Sequence, residues 1–378
     1  MSELNTTKTA SADLRWQLLT TASALALLTN IVAGGDATAS EADRPTVWIE
    51  LGGALQRIGG TEERFAPDFT TNNADLSFNE VSPLSLQRLP RYAVDGDTSI
   101  SISPRGTDWS FVAAVRYGRS NGEKSLHQQA HYVKRLTNGR LPSDSKYLFI
   151  DAPYTNSNHT EVDARETHLV LDFRAGKDVG LGLSGGIESK LSLGVRYAQF
   201  TTNMNTQFYS MPVQYLAPNF NEGSKNWKHS YFADSHVDRS FHGIGPSLSW
   251  EGKIKVAGNR EANELSADWG INAAILFGRQ KADGYFQSAD HYLKGQPGFG
   301  GTVTVTPNNR SLNRSNKRIV PNFGGFAGVS FKSDNAKVSF GYRADFFLGA
   351  MDGGLASRDN RDRSFHGPFA KASIGLGG

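Results

Sequence analysis

The sequence predicts an all-β fold: a transmembrane antiparallel up-and-down β-barrel of about ten strands, with long external loops and short periplasmic turns. Three observations carry that reading. Bulky and small residues alternate with period two in one segment after another, the pattern of a strand with two unlike faces. Glycine makes up 40 of 378 residues and aromatics reach 11%, where roughly 7% glycine is ordinary, and many of the glycines sit opposite the bulky residues. Links between segments alternate between short and long, as the two ends of a spanning barrel require.

The strands follow in order. Val47, Ile49, Leu51 and Leu55 share one face, with Glu50, Gly52 and Ala54 on the other. Thr98 to Ser103 supplies a second strand, needed so that the crossings near 46–57 and 107–118 join at the correct end. Trp109, Phe111, Val115 and Tyr117 then alternate with Ser110, Ala114 and Arg116. Leu169, Leu171 and Phe173 oppose Asp172 and Arg174, and Leu191, Leu193, Val195 and Tyr197 oppose Ser192, Gly194 and Arg196. Ile244, Leu248 and Trp250 stand against Gly243, Gly245, Ser247 and Ser249, while Trp269, Ile271 and Ile275 stand against Gly270 and Asn272. Phe323, Val329 and Phe331 oppose Gly324 and Gly328, Phe340, Tyr342 and Phe346 oppose Gly341, Arg343 and Asp345, and Ile374 and Leu376 oppose Phe369, Lys371 and Ser373.

A soluble sandwich would put Lys, Glu and Thr on its wet face and has no need of so much glycine. Here the second face is Gly, Ser, Ala and Asn with single charges, as in a barrel whose bulky side chains meet lipid and whose lumen is narrow. Segments of about 9–11 residues suit a tilted crossing. Eight strands is the alternative count, and twelve follows if Leu126–Leu136 or Lys146–Ile150 also cross. Trp109, Tyr117, Tyr197, Trp269, Phe340 and Tyr342 are the expected lipid-facing or interfacial aromatics.

Composition narrows the rest. Cysteine is absent, which excludes disulfide and thiolate-metal frameworks. Lys and Arg total 40 against 37 Asp and Glu, a balance that gives no basis for a nucleic-acid partner. After residue 40 no run approaches the ~20 apolar residues of a membrane helix. Residues 1–39 read as a signal peptide: Lys8 and Arg15 precede the apolar stretch from Leu18 to Ala33, and Ala37-Thr38-Ala39 permits cleavage before Ser40. Residues 40–378 then form one barrel domain, expected in the outer membrane of a Gram-negative cell.

The blocks Leu191 to Ala198, Phe241 to Pro246, Trp269 to Ala273 and Gly324 to Val329 resemble the Legionella-type pore-forming outer-membrane protein family. That resemblance implies a porin-like channel rather than an enzyme. By strand parity Glu50, Arg116, Asp172, Arg174, Arg196, Arg343, Asp345 and Lys371 line the lumen. Five basic against three acidic groups favours anions weakly if the lumen conducts, and pairing across the barrel fills it if it does not. The expected function is a small passive pore for ions or small solutes, with no cofactor, no metal and no catalytic residue. Expected partners are outer-membrane lipid, the permeating solute and, as an open question, further copies of the barrel.

Three other readings remain. Asp95-Gly96-Asp97 and Asp234-Ser235-His236 fall at expected outer strand ends, where omptin proteases hold carboxylate and Asp-His pairs that activate water. His127 and His131 would share a helical face as metal ligands, though without an acidic partner. The expected external loops, near 58–96, 119–164, 202–238 and 282–318, carry Tyr209, Tyr215, Tyr231, Tyr285, Phe286 and Tyr292, which suits an adhesin or receptor.

Overall fold

The computed structural model describes residues 46–60, 91–132, 154–179, 187–212, 215–219, 223–259, 263–296, 299–333, 335–355 and 358–376. The expected signal peptide and the stretch Lys146–Ile150 lie outside them. The strands are β1 (Thr46–Gly59), β2 (Arg91–Ser103), β3 (Trp109–Tyr132), β4 (Tyr154–Asp178), β5 (Ile187–Pro212), β6 (Tyr215–Asn219), β7 (Gly223–Asn259), β8 (Asn263–Gln296), β9 (Phe299–Ser333), β10 (Ala336–Asp352) and β11 (Asn360–Leu376). No helix occurs among the described residues.

Ten of these strands close into an antiparallel barrel in the order β5-β4-β3-β2-β1-β11-β10-β9-β8-β7, with β7 returning to β5. The short β6 pairs with β7 as a hairpin outside that ring. Strand count, closure and the strand at Thr98 to Ser103 therefore match the sequence reading. Short links join β2 to β3, β4 to β5, β7 to β8 and β9 to β10 at one end, where β1 starts and β11 finishes.

The outer face carries the apolar belt. Leu193, Ile271 and Phe340 are 66%, 54% and 57% exposed, which no water-soluble core would allow. Trp109 and Tyr342 lie on the same face and are exposed, while Tyr117, Tyr197 and Trp269 there are half-buried by neighbours. Trp269 packs edge-on against Trp250 at 5.0 Å between ring centroids. A continuous apolar band around a closed barrel is a membrane-facing surface.

Two expectations are corrected. Strands are not limited to one crossing: β7, β8 and β9 run for 37, 34 and 35 residues, against the 9–11 that span a bilayer. Much of the expected loops at 119–164, 202–238 and 282–318 is strand that continues the barrel wall past the membrane. Their alternation of polar residues is compatible with a sheet wetted on one side, which composition does not distinguish from a loop. The barrel is consequently tall on the β7–β9 side and low at β1, β2, β10 and β11.

Candidate functional site

The interior is the candidate site, and it has two unlike layers. The eight charged residues expected in the lumen all line one cavity. Arg196 makes a two-toothed bond to Asp172, Nε to Oδ1 at 2.7 Å and Nη2 to Oδ2 at 2.9 Å. Its Nη1 donates to Asn272 Oδ1 at 2.6 Å and to Asn322 Oδ1. Arg116 pairs with Asp345. Arg174 donates to Glu251 at 2.5 Å and to Ser249 at 2.9 Å. Arg343 donates to Asp97 at 2.6 Å, and Lys371 bridges Glu50 at 2.7 Å and Asp97 at 3.3 Å.

Asp97 and Glu251 are the members that parity reasoning missed. They raise the acidic count to match the five cations, so the expected weak anion preference is corrected to a balanced network. Glu251 continues the inward series Ser247 and Ser249 by one step, and Asp97 continues Ser101 and Ser99 by one step, so both were reachable by extending the alternation. Each charge is paired because an isolated ion in this enclosed space would lose several kcal/mol of hydration. At the short-turn end the chamber adjoins a cavity of about 490 Å³ lined by Ser101, Thr107, Lys253, Asp268, Lys337 and Lys371 among others.

Toward the long-strand end an apolar layer follows, bordered by the fully buried Arg363–Glu166 pair at 3.2 Å. Ile58, Ala93, Val170, Phe200, Phe241, Leu276, Val320, Phe347, Met351 and Phe365 form one buried cluster. Phe200 sits at its centre, 4.7 Å from Phe347, 5.4 Å from Phe365 and 5.9 Å from Phe241 between ring centroids. Every barrel strand except β3 contributes to the cluster. On β3 the position is Gly118, where a Cβ would lie 2.0 Å from Asp95 Oδ1 and 2.3 Å from His168; the buried His168–Asp95 contact, 3.1 Å, occupies that space. The expectation that bulky side chains all face outward is corrected here. Narrow interiors must be filled, and where no charge partner is supplied only apolar groups fill them without a desolvation cost.

Part of the seal comes from a chain segment that leaves β9 while still pairing with β11. β10 pairs with β9 as far as Phe347↔Asn322, and its register on β11 slips between Phe347↔Arg363 and Met351↔Arg361. Gly349 takes φ +64° at this slip, a conformation that side chains resist, and the chain then turns Ala350 and Met351 inward. Arg314 pairs with Asp352 and donates to the Gly354 carbonyl at 2.5 Å, and Gln280 donates to the Gly349 carbonyl at 2.6 Å. Leu355 packs against Phe208, Ala233 and Phe286 and against Val237, Ala282 and Leu312. Phe286, expected in a binding loop, therefore points into the interior.

The constellations weighed as chemistry do not assemble. Asp97 lies in the ionic chamber rather than at a rim, and Asp95 holds His168. Asp234 and His236 lie on the outward face of the external wall, where His236 contacts Asn205 and Asp238. His127 and His131 fall on a strand, where residues four apart stand about 13 Å apart, so the helical spacing that would let them share a metal is lost. His127 stands opposite His159 in register.

No protein-family model and no curated protein matches the chain. Among solved structures it is similar to the translocator domain of the autotransporter NalP from Neisseria meningitidis, at 10% identity, TM-score 0.30, covering 94% of this chain and 96% of that one. It is also similar to the transport unit of the autotransporter AIDA-I from Escherichia coli, at 6% identity, TM-score 0.22, covering 90% and 93%. The toluene transporter TodX of P. putida matches at 9% identity, TM-score 0.16, covering 90% and 91%. At these scores the likeness carries no argument, and the barrel rests on its own strand pairing.

Proposed function

We propose that the chain is exported to an outer membrane and forms a small pore there that is shut in the conformation described. Ions or small solutes would enter the charged cavity at the short-turn end and stop at the apolar layer. The observation that supports this reading is the origin of the seal: Ala350 and Met351 come from a segment that has left the β9 edge just past Phe347, held by its pairing to β11 and a few polar contacts, while the chamber beneath keeps ten charges. A barrel built only for rigidity would fill both halves with apolar side chains, which fold at lower desolvation cost. The pore reading assigns the chain no cofactor and no catalytic step, and with balanced charges it assigns little preference between anions and cations.

Planar-bilayer recording tests it. The purified barrel should be silent with brief openings, and a Phe347→Gly/Met351→Gly variant should give steady ohmic steps. If that variant migrates as a folded barrel yet stays as silent as wild type, the pore reading is wrong. The tall wall favours a second reading, a surface receptor, because Tyr209, Phe232 and Tyr285 are exposed on its outward face beyond the apolar belt. Silence of the opened variant would leave that reading in place.

A further inference from the structure

The outward face changes abruptly where the apolar belt stops on the long-strand side. On β7, β8 and β9 the last apolar row is Ile244, Phe277 and Ile319, which are register partners and 55%, 55% and 63% exposed. The next outward row is His242, Arg279 and Lys317, again direct partners, and all three are exposed. Arg279 and Lys317 thus stand about 5 Å apart at Cβ, an arrangement of like charges that disfavours the bare sheet. Above them the row Ser240, Lys281 and Ser315 adds a further cation between two hydroxyls. Carboxylates return only in the row after that, where Asp238 faces Asp283. On β1 and β3 the first outward residues past the belt are likewise basic, Arg57 and Arg119. At the opposite end the outward Lys177 lies 3.8 Å from Asp108.

We propose that the Arg279–Lys317–Lys281 patch binds the phosphorylated glucosamine headgroup of an outer-leaflet glycolipid, with its acyl chains lying on Ile244, Phe277 and Ile319. The charge complementarity is with phosphate: two facing cations and a third one row higher match a headgroup carrying more than one phosphate, and the two serines suit the sugar hydroxyls. The carboxylate row above closes the patch to an anion that would sit further out. The inference rests on the outer-membrane reading proposed above, taken with the long-strand end outward, since only that end then faces the glycolipid leaflet.

The test uses the full chain in phosphatidylcholine nanodiscs doped with lipid A or, separately, with phosphatidylglycerol, and counts lipid retained per barrel by mass spectrometry after delipidation. Lipid A should be retained by wild type well above phosphatidylglycerol. Arg279→Gln/Lys317→Gln should lower that retention about 25-fold, at roughly fivefold per surface cation, and Lys177→Gln should leave it unchanged. Equal retention by the double variant, or equal retention of phosphatidylglycerol, overturns the proposal. Heat-modifiable migration, read in parallel, separates the two failures: a barrel that inserts but shows no lipid A preference sinks this site alone, whereas one that inserts into neither bilayer sinks the membrane orientation on which it rests.

Discussion

The two halves of the interior obey the same strand parity and reach opposite chemical solutions. Below, Arg196 is held by Asp172, Asn272 and Asn322; above, Phe200 is held by Phe241, Phe347 and Phe365. On β5 the two central residues are four positions apart on one face. The contrast teaches that alternation reports which way a side chain points and not what medium it meets. An interior too narrow for bulk water can be filled by matched ions or by packed rings.

The largest effect should come from breaking the ionic half at its hub. Arg196→Met leaves Asp172 and two asparagines without their donor and should destabilise the barrel by about 3–5 kcal/mol, read by urea unfolding in detergent. Adding Asp172→Leu to that variant should return most of the loss, since removing both partners of a buried pair is often neutral. No recovery would mean that the charges, and not the filling, hold this half.

A somewhat smaller loss is expected in the apolar half. Phe200→Ala should cost about 3–4 kcal/mol through the cavity it leaves, and unlike the ionic half no second substitution of a polar partner can restore it. Unfolding midpoints of Phe200→Ala with and without Phe347→Trp would show whether volume alone recovers stability. Arg174→Met sharpens the comparison from the wet side of the chamber. Its partner Glu251 has a side chain 32% exposed, so water replaces part of what is lost and the cost should fall to about 1–2 kcal/mol.

The smallest effect lies on the external wall. Tyr285 donates to Asp234 at 3.0 Å, and that carboxylate, with a lesser contribution from burial, raises the phenol above its usual value. Because the folded value is the higher one, the contribution to stability is complete below the unfolded value of about 10 and is lost as pH rises through the folded value. A difference titration between wild type and Tyr285→Phe should show this phenolate forming late, and Asp234→Asn should bring it back to the ordinary range.

Much of the fold was legible because lipid imposes it on every crossing. Leu193, Ile271 and Phe340 had to face outward, and Glu50, Arg116 and Lys371 inward, since a charge at mid-membrane on the outer face costs about 2–4 kcal/mol. The wall beyond the belt was less legible: with water on one side, Asn203, Asp238 and Asp283 read as loop residues although they are strand. The site was half legible. Its charges followed from parity, while their partners Asp97 and Glu251 and the sealing rings required knowing how far each strand continues.

By itself the sequence determined an up-and-down barrel of about ten strands, its outward belt and the inward direction of its charges, because period-two alternation against hydrocarbon admits one register for each strand. Tertiary structure alone decided that the charges balance, that Phe200, Phe241, Phe347 and Phe365 meet across the axis, and that β10 turns Met351 inward. Those contacts join residues far apart in the chain, and only closure of the barrel sets the distance between opposite walls.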